Sequence, residues 1–188
     1  MMQQWHDAKS SYPDAMLFFR MGDFYELFGD DAVVASRVLE LTLTSRDKAS
    51  DNAIPMAGVP HHALQGYLAR LIESGYKVAV CDQVENPKQA KGLVRRAVTR
   101  VVTPGVVLDD LQLDPTRNNY LASIWPGLAG YGISYADITT GELRGTLAPS
   151  LSAASAEIAR IEPREVLLPP GAEDQLKQAC ERAGSLTF

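Results

Sequence analysis

Residues 16–28 read MLFFRMGDFYELF, and this stretch predicts a β-hairpin. The apolar run from Met16 to Arg20 has the length of a strand, and Gly22-Asp23 is a typical tight turn. The sequence then alternates, so that Phe24, Glu26 and Phe28 share one face and Tyr25 and Leu27 the other. We therefore expect a strand that presents an aromatic ring and a carboxylate next to each other.

Around this stretch the first part of the chain alternates strands with helices, which indicates a mixed-sheet domain containing both. Gly75 is placed to end one of these helices, because glycine readily adopts the left-handed conformation. A type II turn is expected at Pro104-Gly105, and we place the first domain at residues 1–107. The expected helices are 3–10, 30–40 and 63–74, and the other expected strands are 41–45, 54–57, 77–84 and 97–103.

The second part, residues 108–188, opens with three strand-like runs separated by turns at Pro126-Gly127 and Thr140-Gly141. Three antiparallel strands followed by a helix and a strand are the opening of a ribonuclease H-like α/β domain. Its parallel portion must be covered on both faces, so we expect a truncated domain of this class. The expected strands are 119–125, 131–139, 142–147 and 165–168, followed by a strand-like tail, and the expected helices are 151–161 and 172–183.

Composition indicates an ordinary globular protein. The chain has 188 residues, 46 % of them hydrophobic and 22 % charged, with a formal net charge of −5. This excludes a disordered or collagen-like chain, and no run approaches the ~20 apolar residues of a membrane span. Cys81 and Cys180 lack metal-ligand spacing and indicate buried thiols in a reducing cytoplasm. One basic strip, 86–108, contains Lys88, Lys91, Arg95, Arg96 and Arg100 and no acidic residue.

The Phe24–Glu26 pair suits the reading of a single base, since a flat ring can stack on the base while a carboxyl group bonds its edge. The same pair also fits a core aromatic beside a solvated carboxylate. His61-His62 are expected to begin a helix, because adjacent histidines seldom converge on one metal ion. The sequence has no Gly-x-x-x-x-Gly-Lys loop, so nucleotide hydrolysis is not encoded in it.

Several motifs together resemble the MutS family of DNA mismatch repair proteins. They extend over essentially the whole chain, in the order and spacing of that family, and the last of them matches the family's connector domain. The motifs are RMGDFYELF at 20–28, IPMAGVPHHA at 54–63, DQVE at 82–85, VVTPG at 101–105 and DITTGE at 137–142.

The resemblance implies that Phe24 enters DNA from the minor groove, stacks on a mispaired or unpaired base and kinks the duplex, while Glu26 bonds that base. Met21, beside Phe24, is a candidate either to help the wedge or simply to pack in the core. The candidate phosphate contacts are Arg46, Lys48, Arg95 and Arg96, with Lys88, Lys91 and Arg100 as further basic residues.

The resemblance also implies partners for the whole protein. These are double-stranded DNA with mismatches or small loops, a second copy in a homodimer, and a MutL-like protein bound through the connector. A monomer stays open for these 188 residues alone. ATP and Mg²⁺ are expected only on an ATPase domain elsewhere. We therefore expect no cofactor, no metal and no enzyme activity on this chain. The expected location of the protein is the cytoplasm, in association with the nucleoid.

Two physical expectations and two alternatives follow. Wedging costs a few kcal/mol of unstacking, so it is favourable only where pairing is already weak. Glu26 is expected to be partly protonated near phosphates and so to donate to the base. The alternatives are a metal-dependent nuclease on the second domain and a DNA-free module that binds acidic partners through its basic strip.

Overall fold

The computed structural model describes residues 1–46, 53–85, 90, 92–106, 118–172 and 174–182, and the backbone of 186–187. It divides into two compact units, Met1–Thr103 and Pro104–Phe188. The domain boundary expected at residue 107 and the candidate residue Lys48 lie outside the described residues. Within the described part, no helix has the length and apolar character needed to cross a membrane.

The first unit is built on a six-stranded mixed sheet. Its strands are β1 (Met16–Met21), β2 (Phe24–Phe28), β3 (Thr44–Arg46), β4 (Ile54–Pro60), β5 (Val78–Gln83) and β6 (Arg96–Val102). They lie in the order β3-β4-β2-β1-β5-β6, and the central strand β1 pairs antiparallel with β2 and parallel with β5.

Helices cover both faces of this sheet. Helix α1 (Met2–Ser11) packs through Met2, Trp5 and Ala8 on a buried cluster that includes Phe19 and Phe28. Helices α2 (Asp30–Val38) and α3 (Leu64–Glu73) contact β2, β4 and β5. The residues that alternate with this cluster along the strands lie on the opposite face and are also buried; they include Phe18, Leu27, Val59 and Val80. Helices α2 and α3 therefore cover that face.

Helix α3 begins and ends as its sequence predicts. A single 3-10 turn, His61–Ala63, leads into the helix, which confirms a helix-start position for the two histidines. After the helix, Gly75 has φ +89°, and its N–H donates to Ile72 O while the Tyr76 N–H donates to Leu71 O. These two bonds form a Schellman cap.

The second unit has a five-stranded sheet and two helices among its described residues. The elements are β7 (Tyr120–Gly127), β8 (Gly130–Asp137), β9 (Glu142–Ala148), α4 (Leu151–Ile161), β10 (Glu165–Leu167), α5 (Asp174–Arg182) and β11 (Leu186–Thr187). The strand order is β11-β10-β7-β8-β9. Strands β7, β8 and β9 are antiparallel neighbours, whereas β10 runs parallel to β7 and β11 runs parallel to β10. Both helices pack on one face around Ile124, Ile133 and Ile158. The α/β class predicted for the chain is confirmed.

Four local predictions are wrong. The strand expected at 54–57 continues to Pro60, because it pairs with β2 as far as Phe24. The strand expected at 41–45 begins only at Thr44, after Glu40 adopts a positive φ of +58°. Pro126 lies within β7 and not in a turn. Strand β10 pairs with β7 only from Leu121 to Ser123. On that side, therefore, no neighbouring strand needs the backbone N–H that Pro126 lacks.

The turn expected at Pro104-Gly105 is present, but it is not of type II, because Gly105 does not have a positive φ. Its glycine is explained by space. A Cβ at position 105 would lie 2.8 Å from the Cβ of Glu165. The Gly105 N–H donates to the buried Glu165 Oε2 over 2.9 Å, so this close approach fixes the start of the second unit against β10.

Candidate nucleic-acid interface

The β1–β2 hairpin presents Phe24 at the surface. Gly22 has φ +58° at the first position of the two-residue turn, a conformation that a side chain would strain. Phe24 follows this turn directly and is 48 % exposed. Phe18, Phe19 and Phe28 of the same hairpin are at most 1 % exposed. Phe24 is therefore the one phenyl ring that this hairpin leaves open to a partner.

Glu26 lies on the same face as Phe24, one pleat further along β2. It pairs in register with Phe19 of β1 and Gly58 of β4. The carboxyl group is half-buried, and its Oε2 is buried without a hydrogen-bond partner among the described residues. Burial raises the pKa of Glu26, and the positive charge of Arg46 partly offsets this rise. The site thus favours the protonated carboxyl more than water does.

Gly58 is a residue of this site to which sequence reasoning gave no role. It is exposed, and a Cβ there would lie 3.6 Å from Glu26 Cγ and 3.9 Å from Phe24 Cδ1. The missing side chain leaves open space between the ring and the carboxyl group. The expected strand ends at residue 57, so only the observed strand, Ile54–Pro60, shows Gly58 as a glycine inside a strand, which often marks a close approach by a ligand or a backbone.

Met21 is paired with Phe24 across the hairpin. It is half-buried and packs on the cluster that contains Phe19 and Cys81. Register places its side chain on the same face as Phe24, so the structure brings these two sequence-predicted residues together with Glu26. Met21 serves the core and also borders the exposed ring.

The predicted basic residues have different surroundings. Arg46 ends β3 and donates from Nη1 to the Sδ of Met1 over 3.7 Å. It is also close enough to lower the pKa of Glu26. Arg95 is exposed at the beginning of the β6 region, and Arg100 is half-buried. Lys88 and Lys91 lie outside the described residues.

Arg96 is engaged with the protein itself. Its Nε donates to Arg20 O over 2.6 Å, and its Nη1 donates to Val94 O over 2.8 Å. Its guanidinium carbon lies 5.2 Å from the centroid of the Phe19 ring, a cation–π distance. In this position Arg96 ties the start of β6 to the end of β1, next to the hairpin turn.

Tyr25 anchors the hairpin from the opposite face of the sheet. Its hydroxyl donates to Oδ1 of Asp82 on β5, and the Thr99 hydroxyl of β6 donates to Asp82 Oδ2 over 2.5 Å. Burial raises the pKa of Tyr25, and the bond to Asp82 raises it further, so the hydroxyl remains a donor. Sequence reasoning missed this group, which joins three strands directly beneath Phe24 and Glu26.

In the second unit, Asp137 is 1 % exposed and belongs to the β8–β9 turn. It accepts the N–H of Asn119 over 3.1 Å and both the N–H and the hydroxyl of Thr139, over 2.9 and 2.6 Å. Burial raises the pKa of Asp137, but these bonds outweigh it and hold the pKa below its ordinary value. No group of three or more His, Cys, Asp or Glu suited to a metal ion occurs in the described ranges.

Both units match family models. Residues 1–111 match MutS domain I, and residues 119–186 match MutS domain II. Among similar curated proteins, each called DNA mismatch repair protein MutS, the one from Syntrophobacter fumaroxidans is 54 % identical over 170 residues, covering 89 % of this chain and 19 % of its own length.

Two further proteins of that name are similar over nearly the whole chain. The one from Pelotomaculum thermopropionicum is 50 % identical over 189 residues, covering 99 % of this chain and 22 % of its own length. The one from Geobacillus thermodenitrificans is 49 % identical over 187 residues, covering 98 % and 20 %. The chain thus spans about a fifth of the length of these relatives. Since the domain I model alone matches more than half of its residues, the chain belongs to the MutS family.

Proposed function

We propose that the first unit recognises mispaired or unpaired bases in duplex DNA, with Phe24 as an intercalating wedge. The observation that carries the proposal is the 48 % exposure of Phe24 on a hairpin whose other phenyl rings are buried. Curated relatives named DNA mismatch repair protein support the same substrate class.

Discrimination follows from the energy of opening a base step. Inserting an apolar wedge costs a few kcal/mol of unstacking, whereas stacking on an aromatic ring returns about 1–3 kcal/mol. In a well-paired duplex the sum is close to zero or unfavourable. A mispaired step has already lost part of its stability and bends more easily, so insertion becomes favourable there. Phe24 would thus detect deformability and not base sequence.

Glu26 supplies the polar half of this device. Its buried Oε2 lacks a partner among the described residues, and burial raises its pKa. Nearby phosphates would raise the pKa further, because negative charge disfavours the carboxylate. A protonated Glu26 can donate to an acceptor on the base edge. Against a correct duplex, where no such bond forms, the carboxylate is repelled by the DNA backbone.

The surrounding basic residues supply affinity without selectivity. Exposed Arg95, together with Arg46 beside Glu26, is proposed to contact phosphates, as are Lys48 and the other lysines of the basic strip. Arg96 is proposed to act mainly by fixing β6 to the hairpin. It would contact phosphate only through the guanidinium N–H groups that are not already bonded to the carbonyls of Arg20 and Val94.

For the whole protein we propose the assembly that the family suggests. It comprises a homodimer, a MutL-like partner bound through the second unit, and ATP with Mg²⁺ on a domain other than the two matched in this chain. These 188 residues are proposed to act as the DNA-reading part and not as an enzyme.

The test compares mismatched and matched duplexes by fluorescence anisotropy at fixed low salt, for wild type, Phe24→Ala and Trp125→Ala. Trp125 is the matched control, because it is an aromatic residue of the second unit and is 65 % exposed. Phe24→Ala should abolish the preference for mismatched DNA and leave the salt-dependent background. A preference that survives Phe24→Ala, or is lost equally in Trp125→Ala, would contradict the proposal.

A further inference from the structure

We propose that Gly58 determines specificity, because its missing side chain leaves the opening through which the edge of a displaced base reaches Glu26. The inference rests on the proposed function of Phe24 and Glu26 and assigns a role to a residue on a different strand. Register pairs Gly58 with Glu26, one pleat away from the Phe24–Pro60 pair. Gly58 therefore lies beside both groups that would contact the base.

The backbone does not require glycine at this position. Gly22 and Gly29 have φ values of +58° and +62°, where a side chain would be strained, whereas Gly58 has no positive φ. Gly105 would place a Cβ 2.8 Å from its neighbour, but the contacts of a Cβ at 58 are all 3.6 Å or longer. Alanine would therefore fit the free protein without strain.

Glycine at position 58 consequently lowers stability without a visible structural return. In a strand interior glycine is less stabilising than alanine, because a glycine chain loses more conformational freedom on folding. The site is exposed, so packing against another part of the unit does not explain it. What glycine provides is bare surface between Glu26 and Phe24.

A side chain there would occupy the path of a base stacked on Phe24. A methyl group would already contact Phe24 Cδ1 at 3.9 Å and Glu26 Cγ at 3.6 Å, on the exposed side of the sheet. A β-branched side chain would extend further and cover the carboxyl group. The hydrogen bond between base and Glu26 would then lengthen or be lost, while the phosphate contacts, which lie on other residues, would remain.

The test uses Gly58→Ala and Gly58→Val, with Gly145→Ala as the matched control. Gly145 is also an exposed mid-strand glycine with a 3.6 Å contact for its Cβ, but it belongs to the second unit. For each variant we would measure thermal stability and the ratio of affinities for mismatched and matched duplex. Gly58→Ala should keep or raise the melting temperature and lower the ratio roughly tenfold, the effect of one lost hydrogen bond to a carboxyl group. Gly58→Val should lower it further.

The outcomes separate this inference from the proposed function. If Phe24→Ala abolishes the preference while both Gly58 variants retain it, Gly58 has no role and the wedge still stands. A wild type without any preference overturns both. A Gly58→Ala variant that loses discrimination only together with its melting temperature would show a structural role and overturn the inference, as would an equal loss in Gly145→Ala.

Discussion

Removing a single hydroxyl group, in Tyr25→Phe, tests whether the proposed wedge, Phe24, depends on an anchor beneath the sheet. The substitution keeps the buried ring, which lies 6.4 Å from the Phe18 ring, centroid to centroid, and 5.3 Å from the guanidinium carbon of Arg20. It deletes the bond from the Tyr25 hydroxyl to Asp82. Asp82 keeps the bond from Thr99, so the variant isolates the link between β2 and β5.

The magnitude follows from the surroundings of Asp82. A hydrogen bond to a charged group contributes about 1.5–3 kcal/mol, and the lower end applies because Asp82 is only half-buried and retains Thr99. For a unit of roughly 100 residues, 1 kcal/mol lowers the melting temperature by about 4–8 °C. Tyr25→Phe should therefore lower the melting temperature of the first unit by roughly 6–12 °C.

The assay is thermal unfolding followed by circular dichroism, with Tyr120→Phe as the control. Tyr120 also donates its hydroxyl to a carboxylate, Glu142, over 2.7 Å, but it belongs to the second unit. The control should bind DNA as wild type does. Tyr25→Phe should weaken binding to mismatched duplex more than to matched duplex, because Phe24 and Glu26 lose the support beneath them. A melting temperature equal to that of wild type would refute the anchor.

Two titratable groups give further predictions. The pKa of Glu26 is raised in the folded state, so the stability contributed by this carboxyl group is complete below about pH 4.5 and is lost as pH rises through the raised pKa. Glu26→Gln should therefore have a higher melting temperature than wild type at pH 7 and the same melting temperature near pH 4. The same variant should retain mismatch binding with a weaker pH dependence, and an equal loss in Glu26→Gln and Glu26→Ala across pH would contradict a protonated donor. Asp137 has a lowered pKa, so its contribution is present above pH 3.8 and lost as pH falls through the lowered pKa. Asp137→Asn should cost about 1–3 kcal/mol at pH 7 by chemical denaturation and leave DNA preference unchanged, whereas unchanged stability would show that the turn does not need the carboxylate.

Sequence was sufficient for the hairpin because its determinants are local. A glycine at the turn and an alternation of period two fix which side chains share a face, and they place Phe24 and Glu26 together. The exposure of Phe24 is less local, since it depends on where α1 ends over the sheet. Trp5 of that helix contacts Phe28, with ring centroids 5.8 Å apart, and the burial pattern changes from Phe28 to Phe24 along the strand.

The anchors beneath and beside the hairpin could not be predicted from sequence. Tyr25 and Asp82 are 57 positions apart, and Arg96 bonds a carbonyl 76 positions away. Both contacts depend on the parallel register between β1 and β5, which is set by packing of the whole sheet. A cluster of basic residues in the sequence predicts an anion-binding strip, but it does not show whether each guanidinium group faces solvent or bonds a backbone carbonyl. The guanidinium group of Arg96 bonds backbone carbonyls.

These anchors bear on how the proposed wedge, Phe24, would discriminate between sound and weakened base steps. Stacking returns only about 1–3 kcal/mol, so any part of it used to order a mobile strand would be lost from binding. Here β2 is held on one face by Tyr25 and Asp82, while on the other Arg96 fixes the end of β1 beside it. Under the proposed function, the ordering of this strand is thereby completed during folding, before DNA binds. The small energy difference between a sound and a weakened base step can then appear almost entirely as a difference in affinity.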